Sequence, residues 1–154
     1  MRLQVTLPLE KAAAIVDEAL RLGREENMDP LTVVVLDSGG KIIAVKSEDG
    51  SGLLRVDIAM GKAWGALGMG MSGRAIRDRS GKNPGFQNAL SVASGGKFVP
   101  APGGVLINDA DNITIGSVGI SGDKGPRDEY CAVKAIQSVG LASEPVNEAP
   151  DWNE

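Results

Sequence analysis

Apolar residues recur at three- and four-residue spacing near the start of the chain, at Ala12, Ile15, Val16, Ala19 and Leu22. That stripe predicts an amphipathic helix over about 9–26, with Thr6 offered as its N-cap. Asp29-Pro30 interrupts the pattern, and a β-branched run over 31–36 follows. The turn residues Asp37-Ser38-Gly39-Gly40 lead into a second strand-like run over 41–45, so the pair predicts a β-hairpin. Both runs are almost unbroken in apolar residues, which predicts strands covered on both faces by helices.

Helical spacing returns over 53–69 through Leu54, Ile58, Ala63 and Leu67. Gly61, Gly65 and Gly68 each cost this helix about 1 kcal/mol relative to alanine. Close packing against a second surface must offset that cost. A short basic helix is expected over 72–79, and another over 85–92 after Asn83-Pro84. The Pro102-Gly103-Gly104 turn opens a strand at 105–107, and Asp109–Asn112 turns the chain into a partner strand over 113–120. Pro126 suits the first turn of a final helix running to about 139, which Gly140 ends. Residues 143–154 carry two prolines and four acidic residues. They are expected to form a poorly packed extension beyond a domain spanning 1–142.

At 154 residues the chain has room for one domain. Aromatic residues make up only 3%, so Val, Ile, Leu and Ala must fill the interior. The 21 glycines fall between apolar runs, where they point to turns and close backbone approaches. A net charge of -4 argues against a nucleic-acid partner. The single cysteine, Cys131, excludes an intramolecular disulfide and fits a reducing compartment. Residues 1–9 lack a long apolar h-region and no stretch reaches the ~20 apolar residues of a membrane span, so a cytoplasmic protein with no membrane partner is expected. The chain has no histidine. Ser-His-Asp and Cys-His catalysis, His-ligated zinc and a histidine axial ligand to haem iron therefore cannot come from it.

Several local patterns occur in a fixed order: Val35-Leu36-Asp37-Ser38-Gly39-Gly40, then Asp57-Ile58-Ala59-Met60-Gly61-Lys62-Ala63, then Pro102-Gly103-Gly104-Val105. Ile115-Gly116-Ser117-Val118-Gly119-Ile120-Ser121-Gly122 and Asp128-Glu129-Tyr130-Cys131-Ala132 complete the series. Together, over about 6–142, they resemble the GlcG/HbpS family, also described as haem-degrading or PduO C-terminal-like domains. The resemblance implies an α/β (α+β) fold, a profilin-like three-layer architecture in which an antiparallel sheet is flanked by helices. It also implies a homo-oligomer, an octamer in the family pattern, and a ligand such as haem or another tetrapyrrole. Some family members are linked instead to glycolate metabolism or to small organic acid conversion. Three functions therefore stand side by side: a small-ligand-binding oligomer, an enzyme (hydrolase, isomerase or hydratase) acting on a small organic acid, and an accessory role.

The residues proposed for chemistry fall into two patches. Gly103, Gly104, Ser121, Gly122, Arg127 and Asp128 combine glycine turns with a helix start, a setting that attracts small anions. Arg55, Asp57 and Lys62 share one helix. In an enzyme, Arg55 or Arg127 would orient a carboxylate while Asp57 or Glu129 moved a proton. The plainer reading is that the glycines make turns and that Asp128 and Glu129 favour a helix start without a ligand. Arg74, Arg77 and Arg79 form a basic run suited to a carboxylate, a haem propionate or a solvated face. Met60, Met69 and Met71 are soft donors or packing filler. Cys131 reads as a core residue, and Asp109, Asp111 and Asn112 as a hairpin turn with no metal.

Overall fold

In the computed structural model, which describes residues 1–154, the first stripe forms α1 (Leu9–Glu25), burying Ala12, Ile15, Val16, Ala19 and Leu22. Pro8, not Thr6, takes the N-cap position, with no side-chain cap. Thr6 lies outside the helix, where its hydroxyl accepts a hydrogen bond from the Ser38 amide. The first hairpin comprises β1 (Thr32–Asp37) and β2 (Ile42–Ser47), paired antiparallel. Asp37 Oδ1 accepts from the amides of Gly39 and Lys41, and Gly40 adopts a φ of 80°, so the turn residues act as their types demand.

The second hairpin, β3 (Gly104–Asn108) and β4 (Thr114–Ser121), lies beside the first, because β1 pairs antiparallel with β4. The strand order is β2-β1-β4-β3-β5, where β5 (Ala142–Glu144) pairs antiparallel with β3. Helix α1 and the last helix, α5 (Gly125–Ser138), cover one face of this sheet. Helix α2 (Arg55–Met69) covers the other. The result is the three-layer, profilin-like α+β arrangement that the resemblance implied. The larger core lies on the α1/α5 side, with Val33, Val35, Val105, Ile107, Val118 and Ile120 pointing into it. No helix is long and apolar enough to cross a membrane.

The expected close packing of α2 is present. Ala59 and Ala63 lie against Gly119 of β4, and the Lys62 backbone lies against Gly104 of β3, so closely that neither glycine leaves space for a Cβ. The glycines within α2 serve the same purpose on its outer flank, where Gly61 meets Val99 and Gly65 meets Phe98. Two short helices follow α2. The first is α3 (Gly73–Ser80), capped by the Ser72 hydroxyl, and the second is α4 (Pro84–Ala93), capped by the Asn83 side chain.

Two expectations are corrected. Strand β2 is not covered on both faces: it is an edge strand, mostly exposed or half-buried, whereas β1 and β3 are buried almost throughout. Residues 143–154 are not loosely packed either. Ser143 and Ala149 are buried, Glu144 accepts the Ser72 amide hydrogen, and Trp152 stacks on Tyr130 with ring centroids 3.6 Å apart. The segment is short and polar, which is why its pattern reads as a tail. It is held by backbone pairing, by the Trp152 stack and by single polar contacts such as Ser72–Glu144 and Lys134–Glu148, none of which leaves a periodic trace in sequence.

Candidate functional site

The fold brings together four of the predicted site residues, Lys62, Gly103, Gly104 and Asp128, deep behind α2. Lys62 Nζ lies 2.9 Å from Asp128 Oδ2 and donates to the Ile120 carbonyl, also at 2.9 Å. Both side chains are buried. Gly103, at a φ of 109°, passes beside them so closely that an added Cβ would sit 3.0 Å from Lys62 Nζ. The glycine-lined hollow expected to receive an anion is therefore filled by the chain's own ammonium and carboxylate. Burial raises the Asp128 carboxyl to about 6, against the pull of Lys62. Gly122 is likewise closed in, against the Pro30 carbonyl and Leu31.

The other predicted residues scatter. Arg127 turns away from the glycine turn, donating to the Glu26 carbonyl at 2.7 Å and pairing with Asp123 at 3.5 Å. Glu129 points to the opposite flank of α5, where its Oε1 meets Arg74 Nε at 3.3 Å and the Ala149 amide at 3.1 Å. Its second oxygen is buried without a partner. Burial pushes this carboxyl up to about 7, opposed by Arg74. Asp57 is exposed near the start of α2, and its side chain makes no hydrogen bond. Asp57 and Glu129, the two alternatives for moving a proton, thus lie at separate places. Arg55 meets only Ser121, whose Oγ lies 3.3 Å from Nη1.

The structure does join two features that the sequence offered separately. Met69 at the end of α2, Met71 in the connection and Arg79 of α3 line one groove with Ile76, Phe86 and Leu90. This groove has a volume of about 260 Å³. A second recess of about 180 Å³, walled by Trp64, Phe98 and Ala93, shares Met69 and Leu90 with it. Of the basic run, Arg74 is committed to Glu129 and Arg77 to Asp78, whereas Arg79 has no carboxylate partner. Met60 packs against the small core under α2, as filler. Cys131 is fully buried, 3.6 Å from Met28 Sδ, and burial pushes its thiol up to about 12, so it is an inert core residue.

The groove exists because α4 barely touches the body of the protein. None of its residues is buried, although Phe86 and Leu90 lie one turn apart on one face. The helix itself was legible, over about 85–92. What its Phe86 and Leu90 face was not, because the groove depends on where Gly70, in a left-handed conformation, sends the chain after α2.

The comparisons with known proteins agree with this architecture. The solved complex of PduOC with haem superimposes with a TM-score of 0.81 at 25% identity, covering 91% of this chain and 99% of that one. HbpS gives 0.74 at 21% identity, covering 90% and 93%. Klebsiella pneumoniae protein ORFY gives 0.79 at 22%, covering 91% and 94%. The last two establish likeness of fold. No curated protein sequence matches the chain. Residues 7–137 match the family model of the haem degrading protein HbpS-like group, and the chain belongs to that family.

Proposed function

We propose that this protein binds haem or a closely related tetrapyrrole in the groove between α2, α3 and α4. The observation that carries the reading is the convergence of two thioethers, an unpaired guanidinium and an apolar wall on a single surface. A porphyrin asks a protein for flat apolar contact, a Lewis base towards the metal and a cation for its carboxylates. Ile76, Phe86 and Leu90 supply the first, Met69 and Met71 the second, and Arg79 the third. Thioether sulfur is a soft ligand accepted by haem iron, so the lack of histidine removes one ligand type without leaving the groove bare of donors. The two adjoining recesses together reach the ~300–1,000 Å³ usual for cofactor-sized ligands. When bound, such a group supplies a redox-active metal centre that the side chains of this chain lack.

Family membership and the haem complex solved for PduOC support the ligand class. The groove supports its location. Trp64 walls the adjoining recess and gives a local probe. In a Trp152→Phe variant, hemin added to the ligand-free protein should quench Trp64 emission to saturation at about one equivalent. Quenching that is linear and unsaturated, as by free hemin in solution, would count against the groove.

A further inference from the structure

Between two buried anchors, Ser80 at the end of α3 and Phe98, the chain runs through residues 81–97 without burying one of them. This stretch contains α4 and supplies one wall of the groove through Phe86 and Leu90. The facing wall is fixed. Ile76 is buried, and α3 is tied to the body of the protein through Ser72–Glu144 and Arg74–Glu129. No such ties hold α4. Every hydrogen bond made by residues 84–96 closes within residues 83–96, and residues 84–96 include no charged side chain that could form an ion pair.

A helix of 10 residues does not hold itself in water, so α4 persists only through its packing. That packing is slight, with Phe86 still 50% exposed. A segment with no buried residue and no hydrogen bond to its surroundings opens at low free energy, without unfolding the rest. The chain can pivot where α4 ends: Gly95 and Gly96 take φ values of 65° and 81°, and a Cβ on either would meet nothing within 4 Å. Opening also changes the shape of the groove. Leu90 and Met69 line both the larger and the smaller recess and so form the neck between them. Lifting α4 takes Leu90 out of the neck and joins the recesses into one slot. Its return lays Phe86 and Leu90 over whatever the slot holds.

We propose that residues 81–97 form a lid, in which α4 swings off Met69 to admit a flat ligand and closes on it through Phe86 and Leu90, a device that rests on the groove being the ligand site. Hydrogen exchange of the ligand-free protein tests the motion without any ligand. The amides of residues 87–94 should exchange at least about a hundredfold faster than those of residues 59–66 in α2, at a rate that low urea does not change. Hemin at saturation should slow them. Ala89→Gly weakens α4 at an exposed position that lines neither recess. It should raise the association and dissociation rates of hemin together, each by about fivefold, and leave the affinity nearly unchanged. Exchange at 87–94 as slow as at 59–66, exchange that saturating hemin does not slow, or unaltered hemin rates in Ala89→Gly would overturn the lid while a saturable hemin complex kept the groove reading intact. Fast exchange at 87–94 with no hemin binding would overturn the groove reading, and the lid with it.

Discussion

Lys62 and Asp128, 66 positions apart in sequence, form a buried ion pair 2.9 Å long that ties the covering helix α2 to the start of α5 through the sheet. The two residues respond differently to truncation. Asp128→Ala leaves an ammonium stranded in the interior and should cost about 3–5 kcal/mol. Lys62→Met should cost less, because Asp128, already pushed up to about 6 by burial, can take up a proton and become neutral. The Lys62→Met/Asp128→Leu double variant should be more stable than Asp128→Ala. Urea unfolding midpoints of the three variants check this order.

The contact between α2 and the sheet depends on glycines that leave no space for a methyl group. A Cβ on Gly119 would collide with the Ala59 carbonyl, so Gly119→Ala must force the helix from β4. A loss of about 3 kcal/mol or more is expected, at the upper end for overpacking. Gly85 in α4 meets nothing nearer than 3.6 Å, and Gly85→Ala should be neutral or stabilise by up to about 1 kcal/mol. Thermal unfolding of both variants measures the contrast.

The contribution of Glu129 and Asp128 to stability should fall as pH rises from about 4 to 7, whereas Glu18, Asp123 and Glu148, held below their ordinary values, act in the opposite sense. Burial raises Glu129 from 4.5 to about 7 and Asp128 from 3.8 to about 6. Across that interval these two carboxyls hold more protons in the folded chain than in the unfolded chain, so raising pH through it withdraws their contribution. Glu129→Gln removes the larger share and should flatten the profile between pH 5 and 8 by up to about 3 kcal/mol. An unchanged profile would show that Glu129 ionises normally.

Residues 143–154 should contribute measurable stability. Trp152 stacks on Tyr130 at an interplanar angle of 5°, and Trp152→Ala should cost about 1 kcal/mol beyond its lost area. Deletion after residue 142 also removes β5 and the Ala149 amide that Glu129 accepts, so it should destabilise further. Chemical denaturation of the two proteins tests the order.

The sequence disclosed features that are local. The α1 stripe, the Asp37–Gly40 and Asp109–Asn112 turns and the small-residue character of α2 each specify their element through neighbours a few positions away. β5 escaped notice because Ala142–Glu144 has no apolar alternation and is held by pairing with β3 and by single polar contacts such as Ser72–Glu144. The candidate site was legible as residue types but not as an arrangement. Lys62 looks like a ligand-binding residue until β3 and α5 close over it and Asp128 pairs with it, and Arg127 looks like an anion ligand until the Glu26 carbonyl claims it. Met69, Met71 and Arg79 were visible as soft donors and a cation. Their convergence depends on the turn at Gly70 and the placement of α4, which arise from long-range packing.

The central claim is that the Met69/Met71 groove holds a haem-class ligand, and an optical titration with ferric and ferrous hemin tests it most directly. The native protein should give a shifted, saturable Soret band, altered in shape by Met69→Leu/Met71→Leu and weakened several-fold in affinity by Arg79→Gln. No saturable band, or one identical in the native protein and in all of these variants, would contradict the assignment.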